Sequence, residues 1–285
     1  MRKIQLQSGR AAGWRWAVVF FAVIASQICV RDLSAETPQA TANSAGHETI
    51  VVTRESTGDY QPRVKADLEK VNAAITQQTN AFRKEEGKGP VEVSDKLQQT
   101  ANDFAAYMAK TGRYGHQADD QTPSQRASAH GYDFCSLKEN IAMQFNSVGF
   151  STGALSQAFF QVWKNSPPHR ANMLSDEVTE TAVAVAQSQE TGAFFAVQLF
   201  ARPKSQAIEF DIANRTDGEL RYKVGETEFT SPEGIIRRHM LCVPQTLSWQ
   251  PEGQPVQSLQ PQANEHYAVE EVEGKLKLLK VESVQ

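Results

Sequence analysis

Basic charge, cysteine and the common signatures of catalysis are all scarce in this chain. Lys and Arg number 29 against 33 Asp and Glu, a formal net charge of −4. Nucleic-acid binders normally carry a basic face, so this balance argues against that class. No Gly-x-Ser-x-Gly phrase, no His-Glu-x-x-His phrase and no phosphate-cradling glycine loop occurs. No apolar run reaches the ~20 residues of a permanent spanning helix. What remains is a soluble, globular composition, 40% hydrophobic and 22% charged over 285 residues, long enough for one large or two modest domains.

The longest apolar run lies at the start. Arg2, Lys3, Arg10 and Arg15 come without an acid, and Ala17 to Val30 is then apolar except for Ser26 and Gln27. This is the charged n-region and h-region of a signal peptide, with Val23-Ile24-Ala25 or Leu33-Ser34-Ala35 as the cleavage site. Residues 1–35 are read as a signal peptide or, uncleaved, an N-terminal anchor. The expected location is therefore secreted, periplasmic or cell-envelope, with membrane contact only through an uncleaved N-terminus. Cys29, preceded by Ser26-Gln27-Ile28, is a poor match to a lipid-attachment box. Export permits a disulfide between the two remaining cysteines, Cys135 and Cys242, but buried thiols are an equal reading.

Residues 36–61 are polar and read as a spacer, with Thr49 to Thr53 offering an edge strand. Val64, Leu68, Val71, Ile75 and Phe82 then form one helical stripe, ended by Glu85-Glu86-Gly87. Ser94 is a good N-cap for a second helix burying Leu97, Ala101, Phe104, Ala105 and Met108. Gly112 ends it, and His116 follows. A short helical piece spans Arg126 to His130, and Ala154 to Trp163 is a third long helix. Ser166-Pro167 starts a further short one, with His169 near its first turn. Free N–H groups at that terminus would favour a neutral imidazole. From Val178 the period turns to alternation, giving strands over Val178–Ala186 and Ala193–Phe200. Helices followed by a hairpin suggest an α+β fold.

Arg202-Pro203-Lys204-Ser205 looks like a domain boundary. Beyond it, Ile208, Phe210 and Ile212 alternate with acids, and Leu220, Tyr222 and Val224 alternate after Asn214 to Gly218, a hairpin signal. Ile235 to Val243 and the two halves of Tyr267 to Val284 give further strands, and Pro251 to Ala263 is a polar loop. Residues 205–285 are thus read as a small all-β domain.

Chemistry concentrates in two phrases, Lys138-Glu139-Asn140-Ile141-Ala142 and Trp163 through Leu174, each placed among helix signals, together with His116 upstream. Two imidazoles and one carboxylate from three segments can line a polar cleft or hold a metal if the fold brings them together. Bland roles stand beside these. Glu139 and Asn140 could tie loops together, Trp163 is expected in the core, and Arg170 and Asn172 are expected to hold the local turn. His130 and His239 read as ordinary surface or packing residues. The Ser166 hydroxyl is expected to bond backbone N–H groups and not to serve as a nucleophile.

The order Asn80-Ala81-Phe82-Arg83, His116, Glu139-Asn140-Ile141-Ala142, Trp163, Ser166 through Leu174 and Val197-Gln198-Leu199-Phe200 resembles the CAP superfamily, the cysteine-rich secretory protein or SCP/TAPS family, over residues 62–203. The resemblance implies a three-layer α-β-α sandwich followed here by the β domain. It also implies that His116, Glu139 and His169 match three of the four residues of the family's central cleft. The fourth, a Glu in animal and plant members, is Ser166 here, and Asp119 or Asp120 is a candidate substitute. Two His and one Glu suggest a zinc or other divalent cation with His116 and His169 as ligands, although no cofactor is required.

Together these readings predict an exported, non-enzymatic binding module whose cleft takes a lipid, sterol-like or envelope ligand, with or without metal help. The alternative is a metal-assisted hydrolase of envelope polymers, protein or nucleic acid, with Glu139 as base. A third reading makes the β domain an adhesive element. No nucleic-acid partner is expected.

Overall fold

A computed structural model describes residues 49–282. The expected signal segment, Cys29 and the first part of the spacer lie outside the described residues. The chain runs β1 (Ile50–Val51), α1 (Arg54–Thr57), α2 (Leu68–Glu85), β2 (Glu92–Val93), α3 (Asp95–Thr111), β3 (Arg113–Tyr114), α4 (Pro123–Ala129), β4 (Phe134–Gln144), α5 (Thr152–Asn165), α6 (Pro167–Met173), β5 (Glu180–Gln187) and β6 (Phe194–Pro203).

The central sheet has the order β2-β5-β6-β4. Alternation along its strands explains the layers around it. Ala182, Ala184, Phe195, Val197 and Leu199 join Leu97, Phe104 and Met108 of α3 in one core. Val183, Val185, Phe194, Ala196 and Phe200 face the other way, into a second core with Val71, Ile75 and Phe82 of α2, Leu155, Phe159 and Trp163 of α5, and Met173 of α6. Successive strand residues point to opposite faces, so a sheet covered on both sides reads as a nearly continuous apolar run. The result is the expected α-β-α sandwich.

Several local expectations need correction. Val64 is half exposed and precedes α2, where it forms an isolated parallel bridge to Gly149. The stripe therefore starts at Leu68, where Asp67 caps the helix by accepting from the Lys70 N–H. Packing also begins before residue 62. Ile50 and Val51 pair with Tyr114 and Arg113, Val52 is buried in the α3-side core, and the Tyr60 hydroxyl accepts from Gln187 Nε2 at 2.7 Å. Gly112 makes this docking close. Its φ is +67°, its carbonyl accepts from Val52 N–H at 2.8 Å, and a Cβ there would lie 2.5 Å from the Val52 oxygen.

After a 3-10 turn at Lys204–Gln206 come β7 (Ile208–Asn214), β8 (Leu220–Val224), β9 (Thr227–Ser231), β10 (Ile236–Leu241), β11 (Leu247–Trp249), β12 (Gln257–Leu259), β13 (Glu265–Val272) and β14 (Lys275–Val281). They form two four-stranded sheets, β10-β7-β13-β14 and β12-β11-β8-β9. Between them lies a third core containing Phe210, Ile212, Tyr222, Val224, Leu247, Trp249 and Tyr267. The expected β7–β8 hairpin does not form, because the two strands sit in different sheets. Asn214 turns the chain across, its Nδ2 donating to Gly218 and Ser231 carbonyls at 2.6 and 3.0 Å. Alternation tells which residues face the core but not which strand is the neighbour. The expected loop from Pro251 to Ala263 also contains β12. Cys135 and Cys242 form a disulfide with Cα atoms 5.6 Å apart, tying β4 to the loop after β10 and resolving the choice between bridge and thiols.

Candidate functional site

Each of the three expected residues is delivered by a different element. Glu139 and Asn140 lie on β4, the outer strand of the central sheet, opposite Leu199 and Gln198. The helix signals around that phrase are thus overridden by strand pairing. His116 follows β3, and His169 is the third residue of α6.

His116 and Glu139 meet. His116 Nδ1 is 2.7 Å from Glu139 Oε1, with the His116 side chain 24% exposed and the Glu139 side chain only 2%. The second carboxylate oxygen is also taken, accepting from Arg126 Nη2 at 2.8 Å. An ionised carboxylate only accepts, so His116 Nδ1 carries the proton of this bond.

His169 is held by its backbone. Its carbonyl accepts from Asn140 Nδ2 at 3.2 Å, and Asn172 Nδ2 donates to Asn140 Oδ1 at 2.9 Å and to the Glu139 carbonyl at 3.3 Å. Asn140 Nδ2 also reaches Gln198 Oε1 at 3.3 Å, and Gln198 Nε2 donates to Thr79 Oγ1 at 2.9 Å. This buried amide chain joins α2, β6, β4 and α6, so Asn140 ties segments together. Asn172 acts across elements and not within its own turn. Arg170 does the same, pairing with Glu86 at 2.9 Å and lying over the Phe82 ring. Trp163 is fully buried, its Nε1 donating to the Ile141 carbonyl at 3.2 Å, as expected of a core anchor.

The His169 ring is pushed down to about 4, first by burial and then by the nearby His116. The expectation of a neutral ring rested on the helix terminus, but burial is the main cause. Its Nδ1 is buried with no hydrogen-bond partner among the described residues. The two imidazoles thus lie within electrostatic reach of each other, and one has an unsatisfied nitrogen.

Ser166 stands at the N-cap of α6, yet its hydroxyl makes no capping bond. Proline at the first two helical positions narrows the choice of donors. N-cap oxygens accept from the second or third N–H; Pro168 removes the second, and the third, that of His169, is not bonded by Ser166 either. Asp119 and Asp120 do not stand in for the missing cleft carboxylate. Asp119 pairs with Arg126 at 2.7 Å, and exposed Asp120 pairs with Arg113 at 2.9 Å.

Among the described residues, no group of three or more His, Cys, Asp or Glu is arranged to hold a metal. With both Glu139 oxygens engaged, the candidate ligands among the described residues are His116 and His169, one fewer than the three protein ligands of a catalytic zinc centre. A three-ligand centre does not fit these residues.

Two arginines support the site in ways the sequence did not indicate, Arg83 having entered only as the end of the Asn80-Ala81-Phe82-Arg83 phrase. Arg126, expected only as the start of a short helix, is buried beneath Glu139. Arg83, also buried, donates from Nη1 to the Met173 and Ser175 carbonyls at 2.7 and 3.0 Å and from Nε to Gly89 at 2.7 Å. Arginine usually marks a surface, so composition gave no warning that either would be buried. The 520 Å³ pocket lined by Lys96, Tyr132, Glu180 and Lys204 lies at the 203–205 junction, with neither histidine in its lining. No helix among the described residues is long and apolar enough to cross a membrane.

Residues 76–200 match the model of the cysteine-rich secretory protein family, CAP. No curated protein matches the chain. Among solved structures, the chain is similar to an outer surface protein from Borrelia burgdorferi, at 20% identity and a TM-score of 0.41, covering 48% of this chain and 94% of that one. It is also similar to a cysteine-rich secretory protein from Staphylococcus aureus subsp. aureus Mu50, at 15% identity and a TM-score of 0.36, covering 48% and 39%. An extracellular protein containing an SCP domain from Bacillus anthracis str. Ames matches at 22% and 0.38, covering 47% and 41%. The chain thus spans about two fifths of the length of the last two. Residues 76–200, the part of the chain that carries His116, Glu139 and His169, are thus similar to a CAP domain.

Proposed function

We propose that this is an exported, non-enzymatic binding module whose His116–Glu139–His169 cleft takes a lipid, sterol-like or cell-envelope ligand. The engagement of both Glu139 oxygens carries the reading: one is on His116 and the other on Arg126. A carboxylate so placed orients an imidazole, and is badly placed to take a proton from water or to complete a metal shell. His169, neutral and with a buried unsatisfied nitrogen, supplies a point where a ligand hydroxyl or a divalent cation shared with His116 would be held.

Mass spectrometry of solvent extracts from the mature protein, with vesicle and sterol binding assays, tests the proposal. A co-extracted hydrophobic ligand whose retention falls in His169→Ala supports it. Chelator-sensitive turnover of peptidoglycan, casein or DNA, lost in His169→Ala, would replace it with the hydrolase reading.

A further inference from the structure

Arg126 is an uncommon object, a guanidinium with a 5% exposed side chain among two carboxylates and two carbonyls. Nη1 donates to Asp119 Oδ1 at 2.7 Å and to the Gln121 carbonyl at 2.8 Å. Nη2 donates to the His116 carbonyl at 2.9 Å and to Glu139 Oε2 at 2.8 Å. The four Nη hydrogens are thereby used, and the guanidinium carbon sits 3.5 Å from the Phe104 ring centroid, which backs it with the α3-side core.

One nitrogen, Nη2, therefore grips both partners of the His116–Glu139 bond: Glu139 by its side chain and His116 by its backbone. We propose that Arg126 is the positioning residue of the cleft. It fixes Glu139 Oε1 against His116 Nδ1, so that the neutral His116 ring is held as the Nδ1–H tautomer with Nε2 unprotonated. Asp119 is the outer support that holds Arg126 in register. Planar, bidentate geometry is what arginine supplies and lysine does not. A lysine at this position could pair with Glu139 or reach the His116 carbonyl, but could not clamp both and keep Asp119.

The inference concerns the same cleft as the proposed binding function, but its test needs no ligand, so either can fail without the other. The measurement is the pair of ring-nitrogen 15N shifts of His116 at roughly pH 8, above the ordinary imidazole value of about 6.5. His116→Gln makes the assignment, and His169 is the internal reference. In the unmodified protein the two shifts are expected far apart, with the protonated nitrogen at Nδ1. In Arg126→Met and Arg126→Lys they move toward each other as the ring samples both tautomers, more in the first than the second. In Asp119→Asn the same movement is smaller, and the His169 shifts stay in place. A merely structural arginine would lower the melting temperature and leave the His116 tautomer alone. Should Arg126→Met not fold, the lysine and Asp119→Asn variants decide. Folded variants with unchanged His116 shifts overturn the proposal.

Discussion

Arg83, on the second helix, donates to the carbonyl of Met173, which closes the short helix carrying His169, across 90 positions of sequence at 2.7 Å. The same guanidinium holds Ser175 and Gly89. A seven-residue helix beginning Pro-Pro has few internal bonds to stabilise it, so its position depends on such outside contacts.

Replacing Arg83 by Met is therefore expected to destabilise the domain by about 2–3 kcal/mol, the usual cost of leaving buried carbonyls unmatched and a charged hydrogen-bond set unmade. Urea denaturation checks the magnitude. The His169 ring resonances should shift in the folded variant, since its helix loses a C-terminal tether. An unchanged midpoint would show that solvent takes over the three carbonyls without loss.

Asn140 invites a sharper substitution. Its Nδ2 faces two acceptors, the His169 carbonyl and Gln198 Oε1, and its Oδ1 accepts from Asn172. In Asn140→Asp the introduced carboxylate meets those acceptors in a buried site, which raises its folded pKa above the ordinary value of about 3.9. Ionising it then favours the unfolded chain. The penalty, roughly 2–4 kcal/mol at neutral pH, should shrink as pH falls through the raised value and the group becomes a donor again. Parallel melts at pH 7 and pH 5 against the unmodified protein read this directly. A penalty independent of pH would contradict it.

How far the sequence reached can be judged from where these residues fell. The stripe from Leu68 to Phe82 and the alternation of β5 and β6 were legible because burial imposes its period on composition. That His116 meets Glu139 and lies near His169 followed from the phrases around them. Other features depend on partners far along the chain. The strand setting of Glu139 is decided by pairing with β6, and the loss of the β7–β8 hairpin by Asn214 bonding across to Ser231. Arg126 and Arg83 carry no periodic signal, since one buried cation in a helix looks like one exposed cation until its acceptors are seen. Ser166 makes no capping bond, although the His169 N–H remains where Pro168 has none.

Two histidines, His239 buried and His169 half-buried, set an acid limit on stability. His169 and His239 are each pushed down to about 4, chiefly by burial, the latter with its Nε2 2.8 Å from the Tyr222 hydroxyl. In the unfolded chain both titrate near 6.5, so between about 6.5 and 4 the unfolded state binds more protons than the folded one. Stability is then full above about 6.5 and declines as pH falls toward 4, by an order of 2 kcal/mol for each ring. Chemical denaturation from pH 7.5 to 4.5 should show this slope, and His169→Gln should remove about half of it. A flat profile would mean that neither ring is neutral in the folded state for the reason given.

The Cys135–Cys242 bridge joins units whose cores share no residue. The two cores flanking the central sheet draw on Val52 through Ala201, whereas the third starts at Phe210. Its two cysteines are 107 positions apart, so the bridge restrains a long loop of the unfolded chain, for which chain entropy suggests about 2–4 kcal/mol. Reduction, or the paired change Cys135→Ser with Cys242→Ser, should therefore lower the melting temperature of the β-sandwich strands more than that of the helical domain. Limited proteolysis should then cut near Lys204 first, the basic residue of the 3-10 turn between them. Circular dichroism at helix and strand wavelengths, followed through the same melt, separates the two transitions. Coincident transitions with and without reductant would mean that the two units unfold as one, held by more than the bridge.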